Sequence, residues 1–173
     1  MMEELKNISI TGRIGYGIMC LEEYLLTKYP NKDWSFILEK YWQITSLELW
    51  DIWMDEVIEI IPEYLFEFDD YESSDFEHLS YENYLKLKEI YKGVGDDANI
   101  ILKKVYDLAN SHAYSSIVGE GKESLEVLDD VIKYLVNNEV ILPNIEKVKK
   151  FTIDKNNGWG VSYNGKILSK ILK

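Results

Sequence analysis

Cysteine occurs only once in this chain of 173 residues, at Cys20. No internal disulfide is possible, which fits a reducing cytoplasm. Two histidines, His78 and His112, add too few ligands for a structural zinc site, and no other metal or cofactor is expected. Every apolar run falls short of the roughly 18 residues a membrane helix needs. The stretch Met1-Met2-Glu3-Glu4-Leu5-Lys6 lacks the basic and apolar regions of a signal peptide. Only three prolines occur, Pro30, Pro62 and Pro143, and no repeat or low-complexity linker interrupts the chain. A single domain over residues 1–173 is expected, long enough to bury a substantial core.

A further absence is local: between Tyr41 and Leu85 there is no lysine or arginine, while thirteen aspartates and glutamates crowd the same window. The net charge of -12 therefore belongs to this block, because the rest of the chain sets 18 acids against 19 bases. A concentrated negative field repels itself and weakens the compact state, so it points to association rather than to fold. With a pI near 4.6, affinity for nucleic acid or an anionic membrane is not expected. Abundant Ile, Lys, Asn and Tyr with one arginine match an AT-rich bacterial genome.

Apolar periodicity predicts a mainly α domain of about six helices over residues 11–138. The first runs from Thr11 to Tyr29 with Ile14, Ile18, Leu21 and Leu25 inward, and Pro30 closes it. Asp33 caps the second. Thr45 and Glu48 form a capping box for a third that reaches Ile61. Ser80 caps the fourth, which ends at Lys92 before Gly93. A fifth starts at Asp96 or Asp97, and the sixth covers Lys122 to Asn137. Glu63 to Leu79 reads as an ordered loop or short helix. Residues 148–168 predict a small β-hairpin or meander, because Asn157-Gly158 and Asn164-Gly165 favour tight hairpin turns. Seven lysines against the single acid Asp154 make residues 147–173 basic, suited to pairing with the acidic block within the chain or across a dimer.

On the third helix Glu48, Asp51, Asp55 and Glu59 share one stripe, opposite Leu47, Trp50, Met54, Val57 and Ile61. Like charges at that spacing cost about 0.2–0.5 kcal/mol each. Burying one large apolar side chain returns about 1.5–3 kcal/mol, so the helix forms despite the stripe. Downstream, Glu67, Asp69, Asp70, Glu72, Asp75 and Glu77 alternate with Tyr64, Phe66, Phe68, Tyr71 and Phe76. Carboxylates beside aromatics suit recognition of a Lys/Arg-rich protein surface. The candidate partner-binding residues are Glu63, Glu67, Asp69, Asp70, Tyr71, Glu72, Asp75 and Glu77; a solvated acidic surface that only keeps the protein soluble is the plainer alternative. A calcium loop counted from Asp70 fails, since Asp75 stands where glycine is needed and Tyr81 where the last ligand, a glutamate, is needed.

Other constellations carry less. Gly12-Arg13-Ile14-Gly15-Tyr16-Gly17 lacks the dinucleotide-binding order. Its glycines suit close helix packing, and Arg13 suits an ion pair with a carboxylate of another helix. Cys20 reads as core, and Ser111-His112 with Ser115-Ser116 does not by adjacency make a catalytic triad. No catalytic residue is assigned.

The stretch Thr11-Gly12-Arg13-Ile14-Gly15-Tyr16-Gly17-Ile18, taken with Gly158-Trp159-Gly160, resembles bacterial immunity proteins encoded beside polymorphic or contact-dependent growth-inhibition toxins. The resemblance implies a cytoplasmic, non-enzymatic protein that binds a cognate toxin domain, often a nuclease, and blocks its active site or substrate groove. It implies structural roles for Arg13, Gly15 and Trp159. A nuclease holds polyphosphate with lysines and arginines, so an acidic protein can occupy that groove. The alternative function is an acidic adaptor or scaffold for another basic cellular protein. Oligomeric state is left open.

Overall fold

The computed structural model describes residues 1–46, 50–113 and 117–172. Among them lie eight α-helices: α1 (Met2–Leu5), α2 (Ile10–Lys28), α3 (Ser35–Gln43), α4 (Trp50–Ile58), α5 (Pro62–Leu65), α6 (Tyr81–Tyr91), α7 (Asp96–Asn110) and α8 (Lys122–Asn137). The fold is mainly α, as the periodicity predicts.

α2 is the axis. Residues 10–22 are buried without a break, and α3, α7 and α8 all pack on this helix. A helix enclosed on every side must be tolerant of close neighbours all round. Ile14, Ile18, Leu21 and Leu25 supply the apolar bulk, and Gly17 admits Leu108 of α7, which a Cβ at that position would overlap. The Ser9 hydroxyl accepts from the Gly12 amide at 3.2 Å and caps the helix start. By contrast α7 and α8 are one-faced. Ile101, Leu102, Val105 and Leu108 of α7, and Leu125, Leu128, Val131 and Leu135 of α8, are buried while none of their charged residues is; Asp97, half-buried, accepts from the Tyr24 and Tyr29 hydroxyls of α2 and its end.

Local signals hold at most boundaries. Ser80 accepts from the Asn83 amide at 3.3 Å to open α6, and Gly93 beyond its end takes φ +74°. The Asp33 carboxylate accepts from the Ser35 amide at 3.0 Å at the start of α3. The third predicted helix differs. α4 stops at Ile58, Ile60 and Ile61 turn into the core, and Pro62 opens the single turn of α5. Thr45 sits in a 3-10 turn, where its hydroxyl donates to the Trp42 carbonyl at 2.8 Å and accepts from the Gly165 amide at 3.0 Å. Glu48, the other half of the expected capping box, and Leu47 of the expected apolar stripe lie outside the described residues.

The C-terminal region corrects the sequence expectation. Residues 148–168 form neither hairpin nor meander; the chain beyond α8 crosses the helices as a tail with 3-10 turns at Ile145–Lys147, Asn156–Gly158 and Gly165–Ile167. The β pairing among the described residues is one antiparallel bridge, Ile8 to Thr152. The backbone groups that a hairpin would pair with each other find partners elsewhere. The Ser9 amide donates to Phe151 at 2.8 Å, the Ile153 amide to Asn7 at 3.0 Å, the Thr11 amide to Trp159 at 3.1 Å, and the Tyr163 amide to Thr45 at 3.0 Å. Each backbone group needs a partner, but a folded chain can supply it from any element. Asn157-Gly158 still takes positive φ, at +51° and +92°, yet it turns the tail along α2, while Asn164 stays extended at φ -75° and caps the last 3-10 turn.

The tail's lysines answer to α1, α2 and α3 rather than to the acidic block. Lys149 meets Glu4 at 2.7 Å and also Glu146, Lys166 meets Glu39 at 2.5 Å, and Lys170 meets Glu23.

Candidate functional site

The acidic face is built on the end of α4, on α5, and on the loop at residues 66–80 that leads into α6. Three tethers shape the loop. The Glu59 carboxylate accepts three consecutive backbone amides, from Glu77 at 2.7 Å, His78 at 3.0 Å and Leu79 at 2.7 Å. Charge-assisted bonds of this kind are about twice as strong as neutral ones. The Tyr71 hydroxyl donates to the Leu79 carbonyl at 2.8 Å, and its ring meets those of Phe76, Tyr81 and Tyr84 at 5.7, 5.3 and 5.5 Å. Asp70 accepts from the Ser73 amide at 2.9 Å and the Ser73 hydroxyl at 2.6 Å, closing a tight turn. The same two bonds, hydroxyl first, hold the Asp70 carboxyl below its ordinary range.

Against this frame the sequence candidates separate. Glu63, Glu67, Asp69, Asp70, Glu72, Asp75 and Glu77 are all exposed. Among the described residues none of these seven carboxylates reaches a lysine or arginine in an ion pair. Tyr71 is half-buried and turned inward, so it shapes the loop; Phe66 and Phe68 stand outward in its stead. The α4 stripe is not idle either. Glu59, just past the end of α4, holds the loop, and Glu56 within α4, beside the stripe, meets Lys40 of α3 at 2.6 Å. No sequence signal announces Glu59, because the amides it collects lie 18 to 20 residues away.

A second polar region lies inside, where the two recognised motifs meet. Arg13 is 0 % exposed. Its guanidinium donates to the carbonyls of Leu5 (2.9 Å), Lys6 (3.0 Å) and Gly121 (2.9 Å) and to the Ser124 hydroxyl (2.9 Å). The expected partner carboxylate is replaced by these neutral oxygens, which lock α1, α2 and α8 together. Burial draws the guanidinium down to about 10, so it stays charged at neutral pH. Glu22, also buried, accepts from the Trp42 indole at 2.9 Å, the Lys170 amide at 2.8 Å and the Ser169 hydroxyl. Trp159 packs edge-on against Trp50 at 5.0 Å, and its carbonyl accepts from the Thr11 amide at 3.1 Å and hydroxyl at 2.5 Å. A Cβ at Gly15 would overlap the Tyr163 hydroxyl, and one at Gly160, where φ is +85°, would overlap Ser9. Most of the motif glycines thus admit the tail rather than another helix.

The remaining constellations are shaped by burial. Burial pushes the Cys20 thiol far up, which removes its nucleophilic form. His112 is buried; its Nε2 accepts from the Ser124 amide at 3.3 Å, and burial holds the imidazole below its ordinary value. Ser115 and Ser116 lie outside the described residues. No group of three metal-ligating side chains converges, and no helix is long and apolar enough to cross a membrane, in both cases among the described residues. Comparison with protein-family models, curated proteins and solved structures finds no match to this chain.

Proposed function

We propose that this chain is a non-enzymatic cytoplasmic immunity protein that binds and neutralises a basic toxin domain, a nuclease in the first instance, through its acidic face. The observation that carries the reading is a set of seven exposed carboxylates, none in an ion pair with lysine or arginine among the described residues, on α5 and a loop that internal bonds hold in shape. Holding like charges together in water costs stability, and a basic partner returns that cost on binding. Preorganisation favours the same reading, since a loop already ordered loses little entropy when it docks. Such a face also steers a basic domain from a distance, raising association from about 10⁵–10⁶ toward 10⁸–10⁹ M⁻¹s⁻¹ at low salt.

The test is co-expression with the C-terminal domain of the protein encoded immediately upstream, scored by growth and by co-purification. Restored growth with a complex that weakens as salt rises is the expected result. A harmless neighbour, or no complex at low salt, removes the immunity reading and leaves an acidic adaptor.

A further inference from the structure

α5 leads into a ridge on which Phe66 and Phe68 stand 43 % and 42 % exposed, one on each side of Glu67. Each ring walls a cleft. The Phe66 cleft, about 550 Å³, opens between α5 and the start of α7, where Tyr91, Val94, Glu63 and Asp96 complete it. Its floor and walls are fixed by three contacts. The Tyr91 hydroxyl donates to the Ile60 carbonyl at 2.7 Å, the Phe66 and Tyr91 rings meet edge-on at 6.0 Å, and the Glu63 amide donates to the Asn99 side chain at 3.0 Å. The Phe68 cleft, about 230 Å³, lies between the end of α4 and the loop, with Tyr64 and Phe76 as walls and Glu67 and Asp75 in the lining. Glu59 and the Asp70–Ser73 turn hold its surroundings in place. Neither lining contains a lysine or arginine.

We infer that the two clefts are receptor sites for two arginine or lysine side chains of one basic protein partner, with the Phe66–Phe68 ridge seated between them. This rests on the docking role proposed above and adds where the partner's cations go. A carboxylate alone takes any counter-ion. A ring face beside a carboxylate selects a flat, weakly hydrated guanidinium, which stacks on the ring and donates to the oxygens together. Aromatic and arginine side chains in water-excluding pockets are the residues that dominate binding energy at protein interfaces. The footprint therefore extends to Asp96 and Tyr91, which lie outside the acidic stretch of the sequence.

The probe is fluorescein-labelled nona-arginine, titrated against the full chain by anisotropy at about 0.15 M salt, where long-range attraction is screened beyond roughly 8 Å. The expected result is that the double variant F66A/F68A, its charge unchanged and its melting temperature checked, binds on the order of tenfold more weakly than wild type. A variant with Glu67→Gln, Asp69→Asn, Glu72→Gln and Asp75→Asn should lose at least as much. If the ring variant binds like wild type while the carboxylate variant weakens, the clefts are overturned and a diffuse acidic docking face remains. If nona-arginine does not bind wild type at all, both the clefts and the acidic docking face fall.

Discussion

Arg13 and Glu22 share one helix and lie out of water, while the seven carboxylates from Glu63 to Glu77 stand on α5 and the loop after it and lie in water. The buried pair is saturated with partners: three carbonyls and a hydroxyl around the guanidinium, an indole, an amide and a hydroxyl around the carboxylate. The exposed set has solvent, one another, and few internal bonds. Burying an ion is tolerable only when the fold supplies its hydrogen bonds, so the interior charges fix geometry. Exposed charges have water as a partner and are tolerated without being satisfied by the fold. The difference teaches where to look for function: in this protein the unsatisfied charges, not the buried ones, remain available to another molecule.

The comparison can be broken most directly at Arg13. Arg13→Met removes the donor of four interior hydrogen bonds and should lower unfolding free energy by about 3–5 kcal/mol, read from the urea midpoint. Arg13→Lys, which keeps charge but has fewer donors, should lose less. An unchanged midpoint for the methionine variant would dissolve the distinction between the regions. Next comes the tail's seat on α2. Gly15→Ala drives a methyl into the Tyr163 hydroxyl and should cost about 1–3 kcal/mol, with partial rescue by Tyr163→Phe.

Glu59→Ala sharpens the comparison, because it removes the one acidic-face carboxylate that collects three backbone amides. Hydrogen exchange at Glu77, His78 and Leu79 should accelerate, with about 1–3 kcal/mol of local stability lost. At His112 the effect is a slope. Burial depresses this imidazole below its ordinary 6.5, so the unfolded chain takes up the proton first as pH falls. Stability should therefore drop below pH 6.5 until the folded-state group titrates, and His112→Gln should flatten that window in pH-dependent unfolding. The smallest stability effect belongs to the exposed set. Neutralising Glu67, Asp69, Glu72 and Asp75 should leave the midpoint within about 0.5 kcal/mol of wild type, or slightly raise it. The same variant should bind its partner far more weakly; equal affinity would count against the proposed function.

Much of this was legible in the sequence where the cause is local. Ser80 and Gly93 bracket α6 because a side-chain cap and a left-handed glycine act within one turn. The apolar faces of α7 and α8 follow from residue spacing alone. The acidic residues between Glu63 and Glu77 are exposed because carboxylates are too polar to bury without partners. The hairpin expected at Asn157-Gly158 failed for the converse reason. The turn residues specified positive φ correctly, but the amides of Ser9, Thr11 and Tyr163 bonded between the tail and distant elements. Arg13 was expected to meet a carboxylate and met carbonyls, since the end of α1, 7 to 8 residues back, folds over it and the start of α8, 108 residues on, closes the other side.

By itself, then, the sequence determined the helical elements, the charge of the face and the residues that carry it, because propensity, periodicity and composition act over a few residues. Only the tertiary structure decided that Glu59 holds the loop, that Tyr71 turns inward while Phe66 and Phe68 stay outside, and that Asp96 joins the cleft beside Glu63. Those outcomes depend on which distant backbone groups and rings arrive at one place, and that arrival is set by packing around α2 rather than by any local pattern.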